Sequence, residues 1–282
     1  MGRRSNGSVV RRRRLGRALR ELREAAGLSV EVAAPQLDWS SSKLSRIENG
    51  QQRVDVHGVR SMLDLYDAGG ERWTELTEPA RQCHQKGWWR AFGLDDQGYV
   101  PLEAEATLVR DFLPLYIPGL LQTAEYARAV FHTAVDPLTP AQIDRYVRVR
   151  VRRQQRLTAE DDPLELVAIV DQAALHRLVG GRDVMRAQLA HLIEASALPT
   201  VTLQVVPWEA GAHAGMSAGI SLLRFGDLDM PDLAYTENPI GSIHMEKEGD
   251  VARAARTFDR LRSQALSPAD SVGLVRRVAE QM

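Results

Sequence analysis

Between residues 40 and 53 the chain reads SSSKLSRIENGQQR, in which hydroxyl, ammonium, guanidinium and amide side chains surround two apolar ones, Leu44 and Ile47. Three residues apart, Leu44 and Ile47 can share the buried face of a helix. That leaves Ser41, Ser42, Lys43, Ser45 and Arg46 facing outward, and this set suits a polyanion. An exposed helix N-terminus favours phosphate, an arginine fork matches the acceptors of guanine, and serines are short, adaptable hydrogen-bonders. Asn49-Gly50 closes the helix, a pair that tolerates the left-handed conformation. Ser29 and Ser40 precede apolar helical patterns and read first as N-caps, with a base contact as the second reading of Ser40.

No comparable set points to catalysis. The histidines, His57, His84, His132, His176, His191, His213 and His244, are scattered, and none is paired at the helical spacing of a metal motif. His244 and Glu246 could place two ligands on one strand face, with His213 as a third; the preferred reading is a polar rim at a sheet edge. Neither Ser217 nor Ser221 sits in a nucleophile elbow, and Cys83 has His84 beside it only in sequence. The glycines 211, 215 and 219 lack the Lys-Ser or Lys-Thr of a phosphate loop and read as a flexible connection. The expectation is therefore a protein that is not an enzyme, with no metal and no cofactor.

The charge distribution supports the polyanion. The formal net charge is −1, yet residues 1 to 66 carry thirteen Arg or Lys against seven Asp or Glu, a net of +6. Lysine occurs only at 43, 86 and 247, so 33 of 36 basic residues are arginine. That bias fits a G+C-rich genome and warns against assigning every arginine to phosphate. A lone cysteine makes no internal disulfide. No apolar run nears the roughly 20 residues that span a bilayer, and no apolar stretch follows the basic N-terminus as a signal peptide requires; a cytoplasmic protein is expected.

The elements that must position the polar run follow from periodicity. Residues 1–13, which enter the run of four arginines from Arg11 to Arg14, are expected to form a mobile basic arm. Leu15, Ala18, Leu19, Leu22, Ala25 and Ala26 mark a first helix ending at Gly27. A short second helix follows Ser29, the third carries the polar run, a fourth spans about 55–66, and a fifth about 71–86 is interrupted by Pro79. This gives a mainly α N-terminal domain of about five helices over 14–86. From 87 to 282, strands are expected at 164–170, 201–206, 220–225 and 233–236. Helices are expected at 103–112, 123–131, 140–157, 173–178, 182–195, 249–265 and 268–280, which makes an α+β domain around a small sheet.

The segment LGRALRELREAAGLSVEVAAPQLDWSSSKLSRIENGQQRVDVHGVRSMLDLY resembles the helix-turn-helix domain of the xenobiotic-response-element-type regulators. The resemblance implies that Ser41, Ser42 and Arg46 lie on a recognition helix in the major groove, with Lys43, Asn49 and Arg53 near phosphates. Pro35 departs from the pattern, standing in the second helix where a helix former is usual. Farther on, YIPGLLQTAEYARAVF, VRVRVRRQQRL, Gly180-Gly181 with VMRAQLAHLIE, VTLQVVPWEAGAH and LAYTENPIGSIHME resemble the C-terminal domain of actinobacterial WhiJ-like regulators, sometimes called antitoxin-like. Asp171-Gln172 departs from the more usual glutamate before Ala-Ala-Leu.

Together these resemblances imply a sequence-specific regulator of double-stranded DNA. A homodimer on an inverted repeat is expected, because one helix-turn-helix reads one half-site. The C-terminal domain would hold the dimer and bind a small protein from a neighbouring gene, or a signal. Two alternatives stand beside it. One is an antitoxin-like component that sequesters a small partner; the other is a ligand-gated sensor built on Trp88, Trp89, Tyr116 and Trp208.

Overall fold

The computed structural model describes residues 8–69, 73, 76–77, 87–96, 98–226, 231–238 and 240–282. Contacts divide these into two compact units, one up to Glu105 and the other from Ala106. The fold is a helical N-terminal region followed by an α+β region with a six-stranded sheet.

In the first unit, α1 (Ser8–Ala25), α2 (Val30–Gln36), α3 (Ser41–Glu48) and α4 (Val56–Leu65) enclose one core. Leu15 and Leu19 of α1 meet Ala33 and Ala34, Leu44 and Ile47, and Val59, Met62 and Leu63, all buried. Side-chain oxygens of Ser29, Ser40 and Asp55 accept first-turn amides of α2, α3 and α4. Gly16 lets α1 run against the end of α3, since a Cβ there would strike the carbonyl oxygens of Ile47 and Glu48. Pro35 falls in the last turn of α2, which is seven residues long. Most of the fifth helix expected at 71–86 lies outside the described residues; Trp73, Leu76 and Thr77 within it are helical.

Two expectations about the reach of the first unit need correction. Of the mobile arm expected over 1–13, residues 8–13 belong to α1 itself, with Val9 and Val10 buried, and residues 1–7 lie outside the described residues. Arg12 is also buried, donating from Nε to the Gly50 carbonyl at 2.6 Å and from Nη1 to Asp96 at 3.2 Å. The expected boundary between 86 and 87 also moves, because Asp96 and Glu105 bind back onto α1. A single-turn helix (Trp88–Phe92) and α5 (Tyr99–Glu103) therefore belong to the first unit.

In the second unit the strands are β1 (Leu108–Leu113), β2 (Glu165–Asp171), β3 (Val201–Val206), β4 (Ile220–Arg224), β5 (Leu233–Asn238) and β6 (Gly241–Met245). Their order is β3-β2-β1-β4-β5-β6, with β1, β2 and β3 parallel and the rest antiparallel. The parallel connections carry α6 (Ala124–Phe131) and α7 (Pro140–Gln154), then α8 (Gln172–His176) and α9 (Arg182–Ala195). The chain ends in α10 (Glu248–Gln264) and α11 (Pro268–Glu280). Phe258 and Leu261 of α10 pack on Phe112, Ile169, Leu222 and Ala234.

The helix expected at 103–112 is instead the end of α5 followed by the central strand β1. Strands buried on both faces lose the alternation that marks them, and Leu108, Val109 and Phe112 also fit a helical spacing. Strand β6, at the sheet edge and largely exposed, is missing from the expected strands, although the reading of His244 as part of a polar rim at a sheet edge falls on it.

Glu105 accepts the amides of Val9 and Val10 at 3.2 and 2.8 Å, capping the first turn of α1. Burial pushes its carboxyl up to about 7, against the opposing pull of those amides and of Arg11 and Arg12. An acid raised in the folded state contributes stability that is full below its ordinary value of 4.5 and lost as pH rises through about 7. In thermal unfolding from about pH 5 to pH 8 the protein should lose stability relative to Glu105→Gln by on the order of 1–3 kcal/mol. Parallel pH curves for the two would contradict the buried carboxylate.

Candidate nucleic-acid interface

The turn between α2 and α3 is short, and Ser40 fixes where α3 begins by accepting the Lys43 amide at 3.2 Å. The face of α3 carrying Leu44, Ile47 and Glu48 is buried. Ser42 and Arg46 are therefore exposed together on the opposite face, with Ser41 exposed in the first turn and Asn49 at the end. The other residues of the sequence-derived set are placed differently. Lys43 Nζ lies 3.9 Å over the Trp39 ring, Ser45 accepts from Asn49 at 3.3 Å, and Ser29 is exposed as the cap of α2. Arg53, one third exposed, lies 3.7 Å from the Asp96 carboxylate, so part of its charge is answered within the unit.

The orientation of α3 rests on a buried ion pair. Arg23 of α1 meets Glu48 of α3 through two hydrogen bonds, Nε to Oε1 at 2.7 Å and Nη2 to Oε2 at 2.9 Å, with both side chains almost completely buried. The third guanidinium nitrogen donates to the Leu28 carbonyl at 2.6 Å, tying the entry to α2 into the same group. Hydrogen bonding to Glu48 raises the Arg23 guanidinium further above its usual value, so the charge persists at any working pH. Burial pushes up the neighbouring Tyr66 phenol, with a further rise from the Glu48 charge.

A second junction gathers around Asp96. Its carboxylate accepts Trp89 Nε1 at 2.9 Å, two nitrogens of Arg90 at 2.9 and 2.7 Å, and Arg12 at 3.2 Å. Burial alone would raise this carboxyl, but the bonds from Arg90, Trp89 and Arg12 hold it well below the usual carboxylate range. Neither junction was legible in the sequence, since the partners stand 25 and 84 residues apart. An arginine-rich composition also hides which arginines are structural.

Of the aromatic residues weighed from the sequence, Trp88 and Trp89 lie in the first unit and Tyr116 and Trp208 in the second. His213 bonds to Asp171, whereas His244 packs edge-on against Tyr235. Ser221 donates to Asp111 at 2.7 Å. Among the described residues no group of three His, Cys, Asp or Glu side chains is placed to hold a metal ion, and no helix is long and apolar enough to cross a membrane.

A short, capped third helix with an exposed Ser-Ser-Arg face is the architecture of a helix-turn-helix DNA-binding regulator, and residues 14–76 match the family model described as a helix-turn-helix domain. Residues 97–277 match the model of a domain of unknown function, DUF5753, and the chain belongs to that family. No curated protein and no solved structure matches the chain.

Because one member of a buried pair left alone is an unpaired buried charge, Glu48→Leu or Arg23→Met singly should cost about 3–5 kcal/mol in denaturant unfolding. The double variant should recover much of that loss. Additive losses would mean that the two groups do not share one interaction.

Proposed function

We propose that the protein is a sequence-specific transcriptional regulator that binds an inverted repeat as a homodimer, through Ser41, Ser42 and Arg46 at the bases. Ser29, Ser40, Lys43, Ser45, Asn49 and Arg53 line the approach to the duplex as capping and phosphate-side groups. The observation that carries this reading is the exposed polar face of α3, set by the Ser40 cap and the Arg23–Glu48 pair. Arg46 is the side chain on that face able to fork onto guanine, and an eight-residue helix brings it within reach of a groove floor. Dimerisation follows from the need for two half-sites, since a single recognition helix supplies little specificity.

The second unit is assigned the dimer contact and the receipt of a small partner protein or signal. Its support is the resemblance to WhiJ-like, antitoxin-like regulators of actinobacteria, together with a domain of its own core and sheet. Binding there would act on DNA through the difference in affinity between partner-free and partner-bound states.

Genome-wide capture of DNA fragments by the purified protein should enrich a short inverted repeat. Arg46→Ala should lose discrimination at one base pair per half-site, about 1–3 kcal/mol, with unchanged thermal stability. Enrichment that is identical for the variant would refute the assignment of the reading helix. Failure to enrich any site, with tight retention of a small protein, would favour sequestration as the primary role.

A further inference from the structure

Within the second unit, β1, β2 and β3 run parallel, so Leu113, Asp171 and Val206 end at one edge of the sheet. Strand β4 starts at Ile220 opposite Phe112, which brings the whole 207–219 connection to that same edge. Crevices beyond the carboxyl ends of parallel strands are the usual seats of ligands in such sheets. What gathers there is unusual for a mere loop cluster.

Asp171 uses both carboxylate oxygens. One accepts the Ala173 amide at 2.7 Å, capping α8, and the other lies 2.9 Å from His213 Nε2. A carboxylate only accepts, so Nε2 carries the hydrogen and, in the neutral ring, Nδ1 is left as an acceptor. The His213 side chain is 6% exposed and packs edge-on to Phe112 at 5.8 Å, and its Nδ1 is buried without a hydrogen-bond partner. Gly215 permits this, because a Cβ there would enter the Phe112 ring. A second buried imidazole nitrogen without a partner, His176 Nε2, belongs to a ring stacked on Trp208 at 4.6 Å. The Trp208 amide is held by the Gln172 side chain at 3.1 Å, while its indole is 57% exposed.

Leaving buried acceptors unpaired costs about 1–3 kcal/mol each, a cost that a ligand donor would offset. The loops that leave this edge carry exposed apolar side chains. Leu115 and Tyr116 beyond β1, Leu178 beyond α8, Trp208 beyond β3 and Met216 in the following connection make five of the ten exposed large hydrophobic residues described in the chain. Buried polar acceptors and exposed apolar and aromatic side chains on the loops of one sheet edge are the ingredients of a small-molecule site.

We propose that this edge binds a small, planar aromatic molecule carrying a hydroxyl or ring N–H group, which donates to His213 Nδ1 and stacks against Trp208. Asp171 is a positioning residue that fixes the tautomer of His213 and thereby makes the site select a donor. His213 Nδ1 is a single buried acceptor, which one donor group of a small molecule can match. This deepens the reading of the second unit as the receiver of a signal and rests on that reading only for its consequence at DNA.

The test titrates the full chain with 2-naphthol and, as the matched probe without a donor, 2-methoxynaphthalene, followed by calorimetry. One 2-naphthol should bind per chain, with the ether at least about tenfold weaker. His213→Phe should bring 2-naphthol down to the level of the ether and leave the ether unchanged, whereas Trp208→Ala should weaken both. In the unsubstituted protein labelled with 15N-histidine, the His213 Nδ1 resonance should move with 2-naphthol and stay still with the ether, a readout that needs no variant to fold. Equal binding of the two probes, indifference of 2-naphthol to His213→Phe, a resonance that does not move, or no saturable binding up to about 1 mM would each overturn the proposal. Equal binding would mark the edge as an unselective apolar surface of the kind that meets a protein. DNA capture without any probe reports on the regulator reading separately, so the two can fail independently.

Discussion

The Arg23–Glu48 pair is the constraint on which the first unit depends. An eight-residue helix has no independent stability in water, because nucleation costs more than so few hydrogen bonds return. What gives α3 a fixed direction is the burial of Leu44 and Ile47 beside an ion pair that must satisfy itself inside the fold. Desolvating two charges contributes little net stability, but the geometry it demands is strict, with two bonds to Glu48 and one to the Leu28 carbonyl. The helix can roll or slide only by breaking them. Its exposed Ser41, Ser42 and Arg46 are thus held as a surface of defined shape.

Asp96 extends the same logic outward from α3. By collecting Arg12, Arg90 and Trp89, with Arg53 close by, it joins the start of α1, the loop after α3 and the chain beyond residue 87. Two consequences follow. The helical unit is larger than the helix-turn-helix proper, and its excess positive charge is partly consumed within it. Arg12 and Arg23 answer carboxylates, whereas Arg46 faces outward.

The second unit shows a different economy. Its parallel half and antiparallel half share β1, and that join places one set of loop residues beyond the carboxyl ends of three strands. The apolar side chains left exposed there, and the imidazole nitrogens left buried without partners, are departures from a core satisfied throughout. Such departures tend to fall at sites of function, where local consistency yields to another requirement.

Much of the local structure was legible. The bounds of β3, α9 and α11 follow from apolar period and flanking caps, as do the caps Ser29 and Ser40 and the burial of Leu44 and Ile47, because these are short-range properties of neighbouring side chains. The α+β class and the exposed face of α3 were determined in the same way. What only the tertiary structure decided is everything that depends on a distant partner. Strand β1 looks helical until β2 and β4 cover its edges, Val9 and Val10 look like a loose tail until Glu105 receives their amides, and Arg23 looks like a surface arginine until Glu48 is opposite it. His213 gave no sign of its neighbour 42 residues away. Periodicity and capping are written along the chain, whereas pairing across the fold is chosen by which groups burial forces together.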